Sequence, residues 1–473
     1  MKFKLQIVLD DEQGNTEIKD IIQLEKKSGQ GYCAGLSLQE SKKILKHLQQ
    51  ALILHQAESY MQSHRSCPDC QKQRRVKDYR SIQYKTLFGT VVIPSLRLYQ
   101  CRCSGSATKT ISILEEWLPE HVSPELQYIE TKWASYMSFN KTSELLSDVL
   151  PMAATHNGVT VRSHLHKIAK KQDSEIKQKP FCISGCANEW AKLPKPDKPI
   201  TVGIDGGYLR SCKDKRKNFE VIVGKSFSKT KPTKRFGLVQ SMDDRPQRRL
   251  LHTLREQGMQ ENQQITFLSD GADNMRDLQF IMHPESEHVL DWFHLTMRLT
   301  VLNQFSKGFV KSDPEPGNKM REALTRVKWY LWHGNVEKAL EHLEEAYIIM
   351  VDDDLDESEK IRYKNKRKLV KHLEELTTYV ENNRHIIPNY GEKFRYGETI
   401  TSSFVESTVN EVVTKRMVKK QQMQWSHEGA HYLLQTRTAA LNDDLPNHFE
   451  RWYPGLQINN DPDKRMINYK KVA

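Results

Sequence analysis

Cysteine is scarce in this chain, with eight residues in 473, too few to staple so long a polypeptide with disulfides. Long apolar runs are missing as well; none reaches the ~18 residues that mark a membrane-crossing helix. The opening segment MKFKLQIVLDDEQG offers a short amphipathic strand where a secretory leader would carry an apolar core. These absences exclude a disulfide-built secreted module and predict a cytoplasmic protein without membrane spans. Neither sign of charge is lacking, but the two are unequal: 72 Lys and Arg face 60 Asp and Glu, a formal excess of +12. That excess favours a polyanionic partner. Hydrophobic residues make up 37%, which supports packed cores and excludes a disordered polycation.

The patterns divide the chain into several regions. Residues 1–60 read as a strand, a charged linker and a helix in which Leu45, Leu48 and Leu52 recur at helical spacing, a candidate cap or dimerising element. Residues 61–110 turn to alternation, and KTLFGTVVIPSLRLYQCRC predicts a hairpin in a small β module. Within 111–190, NKTSELLSDVLPMAATHNGVTVRSHLHKIAKK holds two helical stretches around a turn of Pro, Asn and Gly, the pattern of a helix-turn-helix. The Pro- and Lys-rich AKLPKPDKP then marks a boundary.

The segment 200–445 is a second domain. ITVGIDGGYLR, NFEVIVGKSF and RFGLVQSM predict three strands, followed by the helix PQRRLLHTLREQG, the strand QITFLSD, the helix ADNMRDLQFIM and the strand HVLDWF. Three strands followed by alternating helix and strand are the order of a ribonuclease H-like α/β core. An almost wholly helical stretch at about 300–385, including the acidic VDDDLDESEK, exceeds an ordinary connection and predicts an inserted helical subdomain. TSSFVESTVNEVVTKRM and KKQQMQWSHEGAHYLLQTRTAALN predict two more helices, and 446–473 a tail.

Asp205 follows the apolar TVGI and Asp270 follows ITFLS, so both acids fall at strand ends, the usual place of a site in an open α/β sheet. Gly206, Gly207 and Gly271 beside them predict room for a bulky ligand backbone. Glu406 supplies a third carboxylate, sharing a helix face with Asn410 while Glu411 turns away. Singly, each acid is better read as a cap or a solvated residue; the ordered set points to two divalent ions about 4 Å apart. Magnesium is the hard, oxygen-loving choice and manganese its substitute. Such a pair predicts phosphodiester chemistry, one ion activating a hydroxyl or water and the other stabilising the departing oxygen. Asp291 and His294, the ends of DWFH, are supporting candidates, with a helix cap and a structural histidine as the alternative.

Cys67 and Cys70 in CPDC, with Cys101 and Cys103 in CRC, supply four thiolates for a structural zinc in a ribbon-like module. Arg74 and Arg75 beside the first pair are candidate phosphate contacts. In the helix-turn-helix, Thr160, Arg162, Ser163, His164, His166 and Lys167 give the second helix a polar, partly basic face, and Arg162 and Lys167 are the candidates to meet DNA. Arg298, Lys415, Arg416, Lys419 and Lys420 extend a basic surface near the carboxylates. Cys182 and Cys186 receive no role.

These residues resemble the DDE transposases of bacterial insertion sequences, specifically the ISKra group. The resemblance is carried from about residue 60 to 445 by CPDC, YQCRC, ITVGIDGGYLR, FLSDGADNMR, HVLDWFHLTMRLTVL and SSFVESTVNEVVTKRMVKKQQMQWSHEGAHYLLQTRTAALN. It implies a ribonuclease H-like catalytic domain, recognition of element ends by the upstream modules, and strand cleavage followed by transfer of a 3′ hydroxyl to target DNA. It carries the triad onto Asp205, Asp270 and Glu406, and an Asp-x-x-His signature onto Asp291 and His294. Double-stranded DNA, both element ends and target, is the expected partner, with a homodimer or larger assembly on bacterial DNA. Two other readings stand beside it: a transposase-derived regulator that binds without cleaving, and a ribonuclease H-like nuclease that uses only water.

Overall fold

A computed structural model of the chain describes residues 2–10, 16–25, 35–101, 103, 110–179, 187–214, 216–272, 286–351, 364–418 and 423–458. The chain is a multidomain α/β protein that divides into two compact units, Met1–Ala169 with Asp443–Ala473, and Lys170–Asn442.

In the first unit, β1 (Lys2–Asp10) and β2 (Thr16–Glu25) pair antiparallel. The second strand stands where a charged linker was expected; TEIKDIIQLE mixes apolar and charged residues, a mixture that a hairpin wet on much of its surface tolerates. Helix α1 (Leu38–Ser63) opens on a capping box, the Glu40 carboxylate accepting the Ser37 N–H at 2.8 Å and the Ser37 hydroxyl accepting the Glu40 N–H at 3.3 Å. Its later turns bury Ile53 and Ala57 against Val91 and Ile93. Those two valine and isoleucine positions belong to a three-stranded antiparallel sheet of β3 (Val76–Thr86), β4 (Gly89–Tyr99) and β5 (Thr110–Ser112). After the single turn α2 (Leu114–Trp117) come α3 (Pro124–Tyr136), α4 (Phe139–Val149) and α5 (Gly158–Gln178). The side chain of Asn157 accepts the N–H groups of Val159 and Thr160, both at 3.0 Å, and so starts α5. At Gly158 the two helices meet so closely that an added Cβ would lie 2.0 Å from Asn140 Oδ1. The chain after 445 is not wholly a tail: Leu445–Trp452 is a helix whose Phe449 rests edge-on against Tyr128, ring centroids 5.4 Å apart.

The second unit contains α6 (Ala187–Trp190) and a mixed sheet of β6 (Ile200–Ser211), β7 (Asn218–Phe227), β8 (Lys234–Val239), β9 (Ile265–Ser269) and β10 (Glu287–Leu290). The order is β10-β9-β6-β7-β8, with β6, β7 and β8 antiparallel neighbours and β9 and β10 parallel to β6. Between β8 and β9, α7 (Pro246–Glu256) buries Leu250, Leu251 and Leu254 against Val202, Ile204, Ile222 and Leu238 of the sheet. The helix expected over ADNMRDLQFIM falls, from residue 273 on, outside the described residues, as does the acidic run from 352.

The helical block comprises α8 (Trp292–Ser312), α9 (Pro314–Trp332), α10 (Val336–Val351) and α11 (Lys366–Asn382). Its own core, with Leu295, Leu299, Leu324, Val327, Leu373 and Leu376, is continuous with Leu268, Val289 and Leu290 at the strand ends. Next come α12 (Tyr390–Arg395) and α13 (Ser403–Val409). One continuous α-helix was expected through Met417; instead the backbone widens to a π-helix over Asn410–Val418, a rare form often found beside functional sites. The two-residue β11 (Gln424–Trp425) then adds parallel to β6, and α14 (His427–Leu441) lays Leu434 and Thr438 over Gly237 of β8. No helix among the described residues is long and apolar enough to cross a membrane.

Candidate carboxylate site and cysteine cluster

The register of the parallel strands aligns the aspartates. β6 sets Ile200 beside Ile265 and Gly203 beside Leu268 of β9; carried two residues further, the same register sets Asp205 level with Asp270. β10 sets Leu290 beside Ser269, so Asp291 is level with both, one residue beyond the last paired position. Three acids thus stand level, but only Asp270 and Asp291 lie just past strand ends; Asp205, expected at a strand end, lies inside β6, which runs on to Ser211 and pairs Asp205 with Val223 of β7.

Glu406 reaches that row because β6 is bare at two places. Side chains alternate along a strand, so Gly203, Asp205 and Gly207 share a face. An added Cβ at Gly203 would lie 2.0 Å from Val405 Cγ2, and one at Gly207 would lie 3.4 Å from Val409 Cγ1. Helix α13 therefore rests on β6 with Val405 and Val409 over the two glycines that flank Asp205. Glu406 sits between those valines in the chain. The glycines beside the acids were expected to admit a ligand. Gly207 lies under this helix instead, as does Gly203, Gly206 abuts Glu220, and Gly271, at φ +83°, abuts Asn383.

The electrostatics follow from this placement. Burial pushes the Asp205 carboxyl above its ordinary range, and the negative charges of Asp270 and Glu406 push the same way, against the Gly206 N–H and His294. The Gly206 N–H donates to Asp205 Oδ1 at 2.8 Å, and the Ala272 N–H to Asp270 Oδ1 at 3.1 Å. Among the described residues no Lys or Arg pairs with Asp205, Asp270 or Glu406. The three carboxylates do not converge within 4.8 Å of one another. Oxygen ligands whose mutual repulsion is unanswered fit a cation held among them.

Asp291 differs. It is wholly buried, and its Oδ1 accepts the Phe293 N–H at 2.9 Å and the Ser402 N–H at 3.0 Å, while Oδ2 accepts the Ser402 hydroxyl. One carboxylate caps α8 and ties down the residue that precedes α13. His294 lies on the same first turn, Nε2 3.6 Å from Asp291 Oδ2, and its charge acts on Asp205. Asp291 therefore holds the helices of His294 and Glu406 in place.

The four cysteine sulfurs gather within 4.8 Å of one another, Cys67 3.5 Å from Cys103 and Cys70 3.4 Å from Cys101. Four thiolates bound at roughly 2.3 Å around a tetrahedral zinc would stand about 3.8 Å apart, so the cluster fits that ion. Backbone amides at Cys70 and Asp69 hold the Cys67 thiol at about 6, below the ordinary thiol range. Gln71, at φ +59°, bends the chain back so that the Cys67 N–H donates to the Lys72 carbonyl at 2.9 Å.

The basic candidates separate by exposure. Arg75, Arg162, Arg298 and Lys415 are exposed, and Arg74 is half-buried. Lys167 is exposed but paired with Glu120 at 3.0 Å. Arg416 is not a surface residue: it is buried, its guanidinium faces the Trp425 ring at 5.6 Å, and burial together with the charge of Arg437 lowers its pKa to about 10. Lys419, Lys420, Cys182 and Cys186 lie outside the described residues. His164 also leaves the expected polar face, because it joins His156 in hydrogen bonding to the buried Glu130 carboxylate, with His156 Nε2 at 2.8 Å.

Two features escaped the sequence reading. The spaced pair around Asp205 in Gly203-Ile-Asp-Gly-Gly207 was visible, but its partner helix lies some two hundred residues away in the chain. A second acidic group, Asp173 and Asp243 with His431, has the spacing of a metal site, yet Arg249 donates to Asp173 at 2.5 Å and to Asp243 at 2.8 Å. Compared with protein-family models, the chain matches none. Compared with curated proteins, it likewise has no match.

Proposed function

We propose that the chain is a DNA transposase of the kind it resembles in sequence, with a ribonuclease H-like core, that cleaves DNA at element ends and transfers the resulting 3′ hydroxyl to target DNA. The observation that carries this reading is that Asp205, inside β6, stands level with Asp270, just past the end of β9, with the Glu406 helix seated on Gly203 and Gly207. Asp205, Asp270 and Glu406 would hold two magnesium ions, or manganese in their place. Bound there, such ions activate the attacking oxygen and stabilise the leaving one. The carboxylates would hold them, Asp291 ties the supporting helices, His294 bears on Asp205 by its charge, and Arg298 and Lys415 grip the phosphate backbone. Cys67, Cys70, Cys101 and Cys103 would bind zinc as a ribbon that, with Arg75 and Arg162, recognises the ends. Two ends must be joined in one reaction, so a dimer or larger assembly on DNA is part of the proposal.

The test is a strand-transfer assay with candidate element ends and Mg²⁺. Intact protein should join a 3′ end to target DNA, and Glu406→Gln should bind ends without cutting them. Binding without cleavage by the intact chain would select the regulator, and hydrolysis without joining would select the nuclease.

A further inference from the structure

We propose that Tyr379 is a positioning residue for this site, fixing the main chain of Asp270 and carrying Arg298 beside it. The inference rests on the metal-dependent reading above. Asp270 lies beyond the last paired residue of β9, where the ladder no longer holds the backbone. The helical block supplies the missing anchor: the Tyr379 hydroxyl, from the last turn of α11, donates to the Asp270 carbonyl at 2.7 Å. Four residues on, Asn383 donates to the Tyr379 carbonyl at 2.9 Å and stands so close to Gly271 that an added Cβ would lie 2.2 Å from its Oδ1. Residues 270 and 271 are thereby held from one side by α11.

The other face of Tyr379 is also used. The Arg298 guanidinium lies over its ring at 4.3 Å, and Arg298 is exposed one helical turn after His294. A single side chain thus joins a metal-ligand candidate to a phosphate-binding cation, and gives the helical block a part in the chemistry as well as in packing. Groups that hold ligands in this way typically change metal affinity by about 10-fold to 100-fold when removed.

Two variants of the full chain separate the roles. Tyr379→Phe keeps the ring and loses the hydroxyl; Tyr379→Leu loses both. Mn²⁺ affinity is measured without DNA by electron paramagnetic resonance, DNA affinity without metal by fluorescence anisotropy, and thermal melting defines a temperature at which each variant is folded. Tyr379→Phe should weaken Mn²⁺ binding about 10-fold and leave DNA affinity unchanged. Tyr379→Leu should also weaken DNA binding, by about two- to fivefold, the scale of an exposed cation–π contact. Wild-type Mn²⁺ affinity in Tyr379→Phe overturns the proposal. If Asp205→Asn binds Mn²⁺ as well as the wild type does, the metal reading falls and takes this inference with it.

Discussion

Two groups of acids in the second unit are built on opposite principles. Around Arg249, Asp173 and Asp243 are answered from within: a guanidinium reaches both, and Gln435 accepts from it as well. In the level row, Asp205 and Asp270 with Glu406 are left unanswered by any Lys or Arg among the described residues. The contrast recurs within a few residues of chain, where Glu411 takes the Arg235 side chain at 2.8 Å and Glu406 takes none among the described residues. Acids close in space are therefore not by themselves a cation site. The group with metal-like spacing already has its cation, and the looser row is the one that lacks it.

The largest effect should come from breaking the answered group. Arg249→Met leaves two largely buried carboxylates facing each other and should cost about 3–5 kcal/mol, read by equilibrium urea unfolding. A cost below about 1 kcal/mol would mean that the guanidinium is not what holds this group. Next, Gly203→Ala forces a methyl into Val405, and overpacking of this kind costs about 1–3 kcal/mol. It should also abolish Mn²⁺ binding by lifting Glu406 from Asp205; retained binding would contradict the seating of α13.

The two groups should also give pH slopes of opposite sign. Asp205 has its carboxyl raised by burial and by neighbouring acids. The folded state therefore keeps that proton more tightly, and metal-free stability is lost as pH rises from the ordinary carboxyl range through the raised value. Burial alone would raise Asp173 too, but His431, its Nε2 3.6 Å away, and the charge of Arg249 reverse this and hold it well below the ordinary range. Its contribution is present above the ordinary carboxyl range and is lost as pH falls through the depressed value. Asp205→Asn should raise the metal-free melting temperature near pH 7, and Asp173→Asn should lower it. Shifts of the same sign would erase the distinction. The smallest effect concerns DNA: Lys415→Ala should reduce the salt dependence of binding by about one phosphate contact, and Arg416→Gln should leave that slope unchanged, since Arg416 is buried against Trp425.

Much of this site was legible because an apolar run followed by an acid and glycine marks a strand: TVGI precedes Asp205 and ITFLS precedes Asp270. At Asp270 the strand does end, but at Asp205 it does not, since β6 runs on through Gly206 and Gly207 to Ser211 on its pairing with β7. The four cysteines were legible from spacing, since a hairpin returns one pair to the other. What pairs across long sequence separations was not. Gly203 reads as strand glycine until Val405 is laid on it, and Ser402 reads as a cap until Asp291 is found beneath it. Arg416 failed for a related reason: a basic run shows charge, but the residue's exposure is decided by the π-helical turn and by β11. The second strand of the N-terminal hairpin was missed because its charged residues do not keep to one face.

The central claim is that the unanswered carboxylates Asp205, Asp270 and Glu406 hold divalent cations. Isothermal titration of Mn²⁺ into metal-free, DNA-free protein tests it most directly, with wild type compared against Asp205→Asn and Glu406→Gln and with folding of each confirmed by melting. Binding in the wild type that is lost or much weakened in both variants is the predicted result. Equal binding in all three would contradict the account.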